Sequence, residues 1–324
     1  MHDRNMYKKH PPDFKKLALK YPEFRKLCKL STTGNVSGDF GNEQFVKLLS
    51  EILLKKDFEL DVEFMSGSLI PRIPQRLNYL LLIDDILRAN GITENVTGLD
   101  IGTGASCIYP LIGAKLLRYR FIATDVDEKS VEWACQQTKK NFKYDEIRIL
   151  LIENEKFFEE PLKQVDKLDF CMCNPPFFYE SEGNLKFERN SEGTYTNTVE
   201  PTVSAPRSIT VAKGNELMTS GGEVQFVKAI VDESVLFKDK VKVFTSMVGK
   251  ISSIKVLTAC LKDVGCKTIG ISRLSQGNTQ RGVLIWSFDD NFKIEGYNVK
   301  KVLVVDKIKQ ETSRKRRKRK HTKE

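Results

Sequence analysis

Two adjacent prolines close an apolar run, and few features of the chain restrict its fold more tightly. Residues 168–173 (Leu-Asp-Phe-Cys-Met-Cys) have the length of a buried strand, and Asn174-Pro175-Pro176-Phe177-Phe178 follows at once. Neither proline can donate a ladder hydrogen bond, so the strand stops there with Asn174 held at its C-terminal end. Similar segments at about 96–101, 120–125 and 147–152 precede it, separated by helical patterns at 108–117 and 128–141. Beyond a polar stretch at 179–213 the spacing predicts a helix at 222–236 and a strand at 241–247, then a helix at 250–263 and strands near 267–273 and 282–288. Alternation on this scale predicts an α/β doubly wound, mostly parallel sheet, and such sheets bind ligands outside the C-terminal ends of their strands.

The chemistry that suits an asparagine in that position is transfer to a planar exocyclic amine. The lone pair of an adenine amino group is delocalised into the ring, so the group is a poor nucleophile. The Asn174 amide oxygen and the Pro175 carbonyl can each accept one of its N–H hydrogens and aim the lone pair at an electrophile. Phe177 would stack on a base taken out of its helix. The plain alternative is a strand, a Pro-Pro turn and core aromatics.

A second motif sits at the end of the first sheet strand. Leu99-Asp100-Ile101-Gly102-Thr103-Gly104-Ala105-Ser106 leads from strand to helix, and its two glycines permit a tight turn close to a ligand. The third glycine of a dinucleotide fingerprint is absent, since position 107 is Cys, which disfavours a nicotinamide dehydrogenase. Asp125 ends the next strand, 25 residues after Asp100, where a carboxylate suits a ribose diol. Asp-x-Gly-x-Gly, an acidic second strand end and Asn-Pro-Pro-Phe together make the plan of an S-adenosylmethionine-dependent methyltransferase.

Composition removes other classes. The three histidines (2, 10 and 321) lie near the termini, which leaves hydrolases built on a central histidine, and most zinc enzymes, without their base or ligands. Seven cysteines include no Cys-x-x-Cys pair and read as reduced core residues of an intracellular protein with no metal site. No apolar run approaches the roughly 20 residues of a membrane span, and the start lacks a signal-peptide core. The net charge of +10 is uneven: residues 1–30 carry +6, residues 314–324 carry +7, and the body between them −3. Basic ends on a near-neutral body suggest a polyanion partner. Asp13 is placed to cap a helix with Phe14 and Leu17 inward and Lys15, Lys16 and Lys20 outward. Residues 179–213 read as a substrate lid, and the seven cations 314–320 as a nuclear import signal or nucleic-acid arm.

The chain resembles the methyltransferase-like protein 16 family of U6 small nuclear RNA adenine N6-methyltransferases, and more distantly a bacterial 23S ribosomal RNA adenine N6-methyltransferase. The resemblance covers roughly residues 2–289. It is carried by Pro11-Pro12-Asp13-Phe14, Arg76-Leu77-Asn78-Tyr79, Asp100 through Pro110, Phe170 through Phe178, Gly221-Gly222-Glu223 and Trp286-Ser287-Phe288. It implies a Rossmann-like class I fold with a seven-stranded, mostly parallel sheet and a small N-terminal helical RNA-binding module. The implied divisions are 1–75 for that module, 76–290 for the methyltransferase domain and 291–324 for a C-terminal extension with the basic tail. S-adenosylmethionine would be held by Arg76, Asp100, Gly102, Gly104, Asp125, Lys156 and Asn174. The target adenine would be held by Asn174, Pro175, Pro176 and Phe177. RNA contacts fall to Phe178, Arg4, Lys8, Lys9, Lys15, Lys16, Lys250 and Arg281. Structured RNA is the expected partner, U6 small nuclear RNA first and messenger-RNA hairpins second. The nucleus is the expected compartment, with the cytoplasm second. Ile251 and Gly282 depart from residues found in relatives. The competing readings are a protein glutamine N5-methyltransferase, which uses the same Asn-Pro-Pro-aromatic geometry, and an RNA-binding protein without catalysis.

Overall fold

A computed structural model of the chain describes residues 1–153, 156–175, 178–179, 187–189, 194–197, 212–213, 218–219, 222–276 and 279–303. Its first elements are short helices: α1 (Met6–Lys9), α2 (Phe14–Lys20) and α3 (Pro22–Lys26). Helix α2 starts where the sequence placed it, because the Asp13 carboxylate accepts from Lys16 N at 3.0 Å. A hairpin of β1 (Cys28–Leu30) and β2 (Val36–Gly38) leads into α4 (Glu43–Phe58), capped by Asn42. Helix α5 (Ile73–Ala89) begins earlier than the expected start near 77, since Pro74 occupies the first turn, where its missing N–H has no intrahelical acceptor to lose.

The sheet then builds in βα units: β3 (Thr97–Ile101), α6 (Ile108–Leu117), β4 (Arg120–Asp125), α7 (Glu128–Asn141), β5 (Ile147–Leu151), α8 (Pro161–Gln164) and β6 (Leu168–Cys173). Five short strands follow, β7 (Phe178–Tyr179), β8 (Phe187–Arg189), β9 (Thr194–Asn197), β10 (Ala212–Lys213) and β11 (Met218–Thr219). The rest of the expected lid at 179–213 lies outside the described residues. The chain resumes with α9 (Gly222–Ser234), β12 (Val241–Val248), α10 (Ile251–Asp263), β13 (Thr268–Gln276), β14 (Thr279–Ser287) and β15 (Lys300–Val302).

The main sheet has the order β15-β13-β14-β12-β6-β3-β4-β5. Pairings from β12 to β5 are parallel and those from β12 outward through β14, β13 and β15 are antiparallel. It therefore has eight strands rather than the expected seven. The additional edge strand comes from residues 300–302, whose Lys301 pairs with Gly270. Close approach there requires glycine: a Cβ on Gly270 would stand 2.5 Å from Ile294 Cγ2.

Side-chain alternation along β6 shows why an apolar run was needed. Phe170 and Met172 face one core with α4, α5 and α6, while Cys171 and Cys173 face a second core with α9, α10 and Trp286. The first core is continuous with Tyr7, Leu17, Phe24 and Phe45, so the N-terminal helices pack on the same apolar body as the sheet. No helix among the described residues is long and apolar enough to cross a membrane. The chain runs from β3 outward to β4 and β5, then returns to β6 on the other side of β3. That reversal opens a crevice at the C-terminal ends of β3 and β6.

Candidate active site

Each side of this crevice is built by a strand end. On the β3 side, Gly102 and Gly104 have φ of +70° and +64°, conformations that side-chain-bearing residues rarely adopt. A Cβ on Gly102 would meet nothing within 4 Å, so the turn faces open space. The Asp125 carboxylate at the end of β4 holds this turn, accepting from Gly104 N at 2.8 Å and Asp127 N at 3.0 Å. Burial nonetheless raises its pKa, against the backbone N–H bonds that lower it. Two carboxylate oxygens offer more acceptor sites than these bonds use, so capacity for a diol remains.

Asp100 is 1% exposed and its Oδ2 has no partner. Burial, opposed by the neighbouring Thr103 hydroxyl and aided by the charge of Asp125, pushes its carboxyl up to about 7. Such an atom, an acceptor deep in the protein with no donor, marks a place where a ligand completes the hydrogen bonding. Arg76 supplies the opposite need. Its guanidinium lies 5.4 Å from the Tyr109 ring centroid and donates to Tyr109 Oη at 2.9 Å, leaving a buried Nε without an acceptor.

On the β6 side, Asn174 Oδ1 is a third buried polar atom without a partner, and the neighbouring Pro175 is buried. The strand end that carries it is braced from below. Tyr79 of α5, fully buried, lies 2.8 Å from Thr245 Oγ1, and Thr245 itself donates to the Cys171 carbonyl at 2.9 Å. The Tyr79 hydroxyl therefore donates to Thr245 and accepts from Cys173 N at 3.4 Å. Tyr79 and Tyr109 stack edge-on at 5.6 Å, and Tyr109 also reaches Met247 Sδ at 3.4 Å. One connected set of side chains thus joins Arg76 to the backbone that presents Asn174. The sequence reading gave no role to Tyr79 or Tyr109. The available signal was a tyrosine inside the leucine-rich run of α5, where phenylalanine or leucine would serve packing alone.

Glu223 was also given no individual role. It is 4% exposed at the start of α9 and accepts from Gly249 N at 2.6 Å, Lys250 N at 3.0 Å and Ser253 Oγ at 2.6 Å. A carboxylate on the first turn of α10 suits that helix's dipole and fixes the β12–α10 turn. Burial lowers the pKa of Arg281 on β14, and Arg76's charge adds to this against the pull of Glu223. The two guanidiniums therefore share one electrostatic neighbourhood with Glu223.

The other expected site residues are placed as follows. Pro176 and Phe177 lie outside the described residues, and of Phe178 only the backbone in β7 is described. Lys156 is exposed and pairs with Glu153 at 3.5 Å. Arg4 donates to Asp84 at 2.5 Å and to Asp85 at 2.6 Å on α5, with its side chain 41% exposed. Its neighbour His2 is 2% exposed and bonds Asp85 at 2.8 Å, so this stretch is a clip between the N-terminus and α5. Lys8 pairs with Asp3 and Lys16 with Asp13, while Lys9 and Lys15 are exposed. Among the described residues no group of His, Cys, Asp or Glu is arranged to hold a metal ion.

Comparison with known proteins agrees with this geometry. A sequence family described as RNA methyltransferase matches residues 1–290. The U6 small nuclear RNA (adenine-(43)-N(6))-methyltransferase of Caenorhabditis elegans is 46% identical over 303 residues, which cover 91% of this chain and 63% of the nematode protein. The chain thus spans less than two thirds of that relative's length. The human METTL16 catalytic domain in complex with a MAT2A 3'UTR hairpin superposes with a TM-score of 0.80 at 35% identity, covering 92% of this chain and 98% of that one. The N-terminal domain of human METTL16 in complex with SAH gives 0.73 at 33% identity, covering 90% and 99%. The fold is the Rossmann-like one of S-adenosylmethionine-dependent methyltransferases, and with nine-tenths of its length inside the family match the chain belongs to the RNA methyltransferase family.

Proposed function

We propose that the chain transfers a methyl group from S-adenosylmethionine to the N6 amine of an adenosine in a structured RNA. The observation that carries this reading is Asn174 Oδ1, a buried acceptor without a donor at the C-terminal end of β6. An exocyclic amine offers the missing N–H, and accepting it draws the nitrogen's lone pair out of conjugation. The Pro175 carbonyl is the second acceptor, and the Tyr79–Thr245 brace holds both in place, so the chain contributes alignment rather than a strong base.

The residues of the β3 side fit the donor. Arg76 Nε would take its carboxylate, Asp100 Oδ2 its ammonium and Asp125 its ribose hydroxyls, each atom having the free capacity described. When bound, S-adenosylmethionine supplies a methyl made electrophilic by the sulfonium charge. The amine's surplus proton passes to water, since His2 is held in the N-terminal clip and the other two histidines are His10 and His321. The nematode relative's name supports U6 small nuclear RNA as substrate, and the human complex supports messenger-RNA hairpins. The basic tail 314–320, outside the described residues, is the reason to place the protein in the nucleus and to name import machinery as a partner.

The test is incubation with labelled S-adenosylmethionine and short RNA hairpins, beside an Asn174→Ala control. Label should appear in N6-methyladenosine and vanish in the variant. Label in protein instead would favour the glutamine N5-methyltransferase reading. RNA binding with no label anywhere would favour a non-catalytic role.

A further inference from the structure

We propose that Phe40 and Arg72 form a stacking platform for an unpaired base flanking the target adenosine. The inference rests on the RNA reading and deepens it.

Phe40 lies between β2 and the Asn42 cap of α4 and is 43% exposed, unusual for a large aromatic in so aromatic a setting. Its edge packs on Phe45 at 5.5 Å and Phe14 at 6.1 Å, which fixes the ring. The Arg72 guanidinium lies over the ring, 5.7 Å from its centroid. Among the described residues no carboxylate pairs with Arg72, and burial alone lowers its pKa. The acid nearest Phe40 in sequence, Asp39, is paired with Lys29 at 2.8 Å. A guanidinium over an aromatic, partly desolvated and with no carboxylate partner among the described residues, is prepared for a ligand with both a π face and a negative charge.

Its location selects the ligand. Arg72 is the N-cap of α5, and Arg76 follows one turn later, about 6 Å along the axis at 1.5 Å per residue. Arg76 faces Tyr109 and the crevice, while Arg281 adds a third guanidinium to that neighbourhood. A base from the same strand as the target adenosine can therefore extend the Phe40–Arg72 stack while its phosphate meets the guanidinium donors. An acidic peptide would satisfy the charge but leave the π surface unused. A base inside a duplex has both faces occupied, so the occupant is unpaired.

The experiment uses the full chain and a stem–loop RNA with 2-aminopurine beside the target adenosine, read by anisotropy and by quenching of the probe. Phe40→Leu keeps the apolar packing and removes the π face, and Arg72→Lys keeps the charge and removes the plane. Each should weaken stem–loop binding by about five- to 150-fold, the worth of one base–aromatic stack. Probe quenching should fall, with affinity for blunt duplex RNA and for S-adenosylmethionine unchanged. Wild-type affinity and quenching in both variants would overturn the platform and leave the RNA reading intact. Failure of the wild-type chain to bind any RNA would overturn both. Binding of a polyglutamate peptide that RNA cannot displace would also overturn it. Thermal melts of each variant separate loss of the platform from loss of folding.

Discussion

Removing one hydroxyl, in Tyr79→Phe, separates the brace behind Asn174 from the packing around it. The ring is fully buried and stays, so no cavity forms. Three contacts of the hydroxyl go: a short one to Thr245 Oγ1 at 2.8 Å and two long ones, to the Cys173 carbonyl and from Cys173 N, each at 3.4 Å. Thr245 keeps its donation to the Cys171 carbonyl, so only one strong hydrogen bond is lost and Thr245 stays partnered. The stability cost then falls in the lower part of the buried range, about 1–2 kcal/mol, or about 1.5–3 °C in Tm for a chain of 324 residues. Catalysis should suffer more than stability, because the freed strand end carries Asn174. A displacement of even a fraction of an ångström there should lower turnover roughly ten- to hundred-fold while cofactor affinity holds. Thermal melts, isothermal titration with S-adenosylmethionine and single-turnover methylation of a hairpin measure the three quantities. Turnover that stays at wild-type level while Tm falls would refute the argument, since Tyr79 would then serve the core alone.

Two further substitutions test opposite electrostatic situations. Asp100 has its pKa raised by burial from 3.8 to about 7, so across that window the folded state holds a proton that the unfolded state has released. Cofactor-free protein should therefore lose stability as pH rises from about 4 to 7. Asp100→Asn should flatten that slope and weaken S-adenosylmethionine binding, and Tm against pH would show a persistent slope if the assignment is wrong. Asp84 is the reverse case. Burial raises its pKa, but hydrogen bonds from Tyr119, Arg88 and Arg4 outweigh burial and leave it below the usual value. Asp84→Asn should cost about 2–3 kcal/mol, below the range for fully buried pairs because Arg4 and Arg88 are half-exposed. Arg4→Ala should likewise lower Tm while leaving hairpin affinity unchanged. Weakened RNA binding at full stability would instead return Arg4 to the RNA groove.

Local signals in the chain made much of the site legible. The strand β6, its abrupt end at Asn174, the Asp100-to-Gly104 turn and the acidic end of β4 each rest on backbone rules that act over a few residues. Apolar periodicity likewise located nearly every helix and strand of the sheet. What it could not supply was partnership between side chains far apart in sequence. Tyr79 meets Thr245 across 166 residues, His2 meets Asp85 across 83, and Glu223 meets the Gly249 turn across 26. A lysine or arginine near a basic terminus looks the same in sequence whether it faces solvent or an aspartate, so the pairing of Arg4 with Asp84 and Asp85 was not legible there. The eighth strand has the same origin, since residues 300–302 become a strand only because β13 offers an unpaired edge with Gly270 beneath it. Sequence alone determined where the chain must turn and which atoms can accept or donate. Tertiary structure decided which of those atoms found partners within the chain, and so which, Asn174 Oδ1 and Asp100 Oδ2 among them, remain for a ligand.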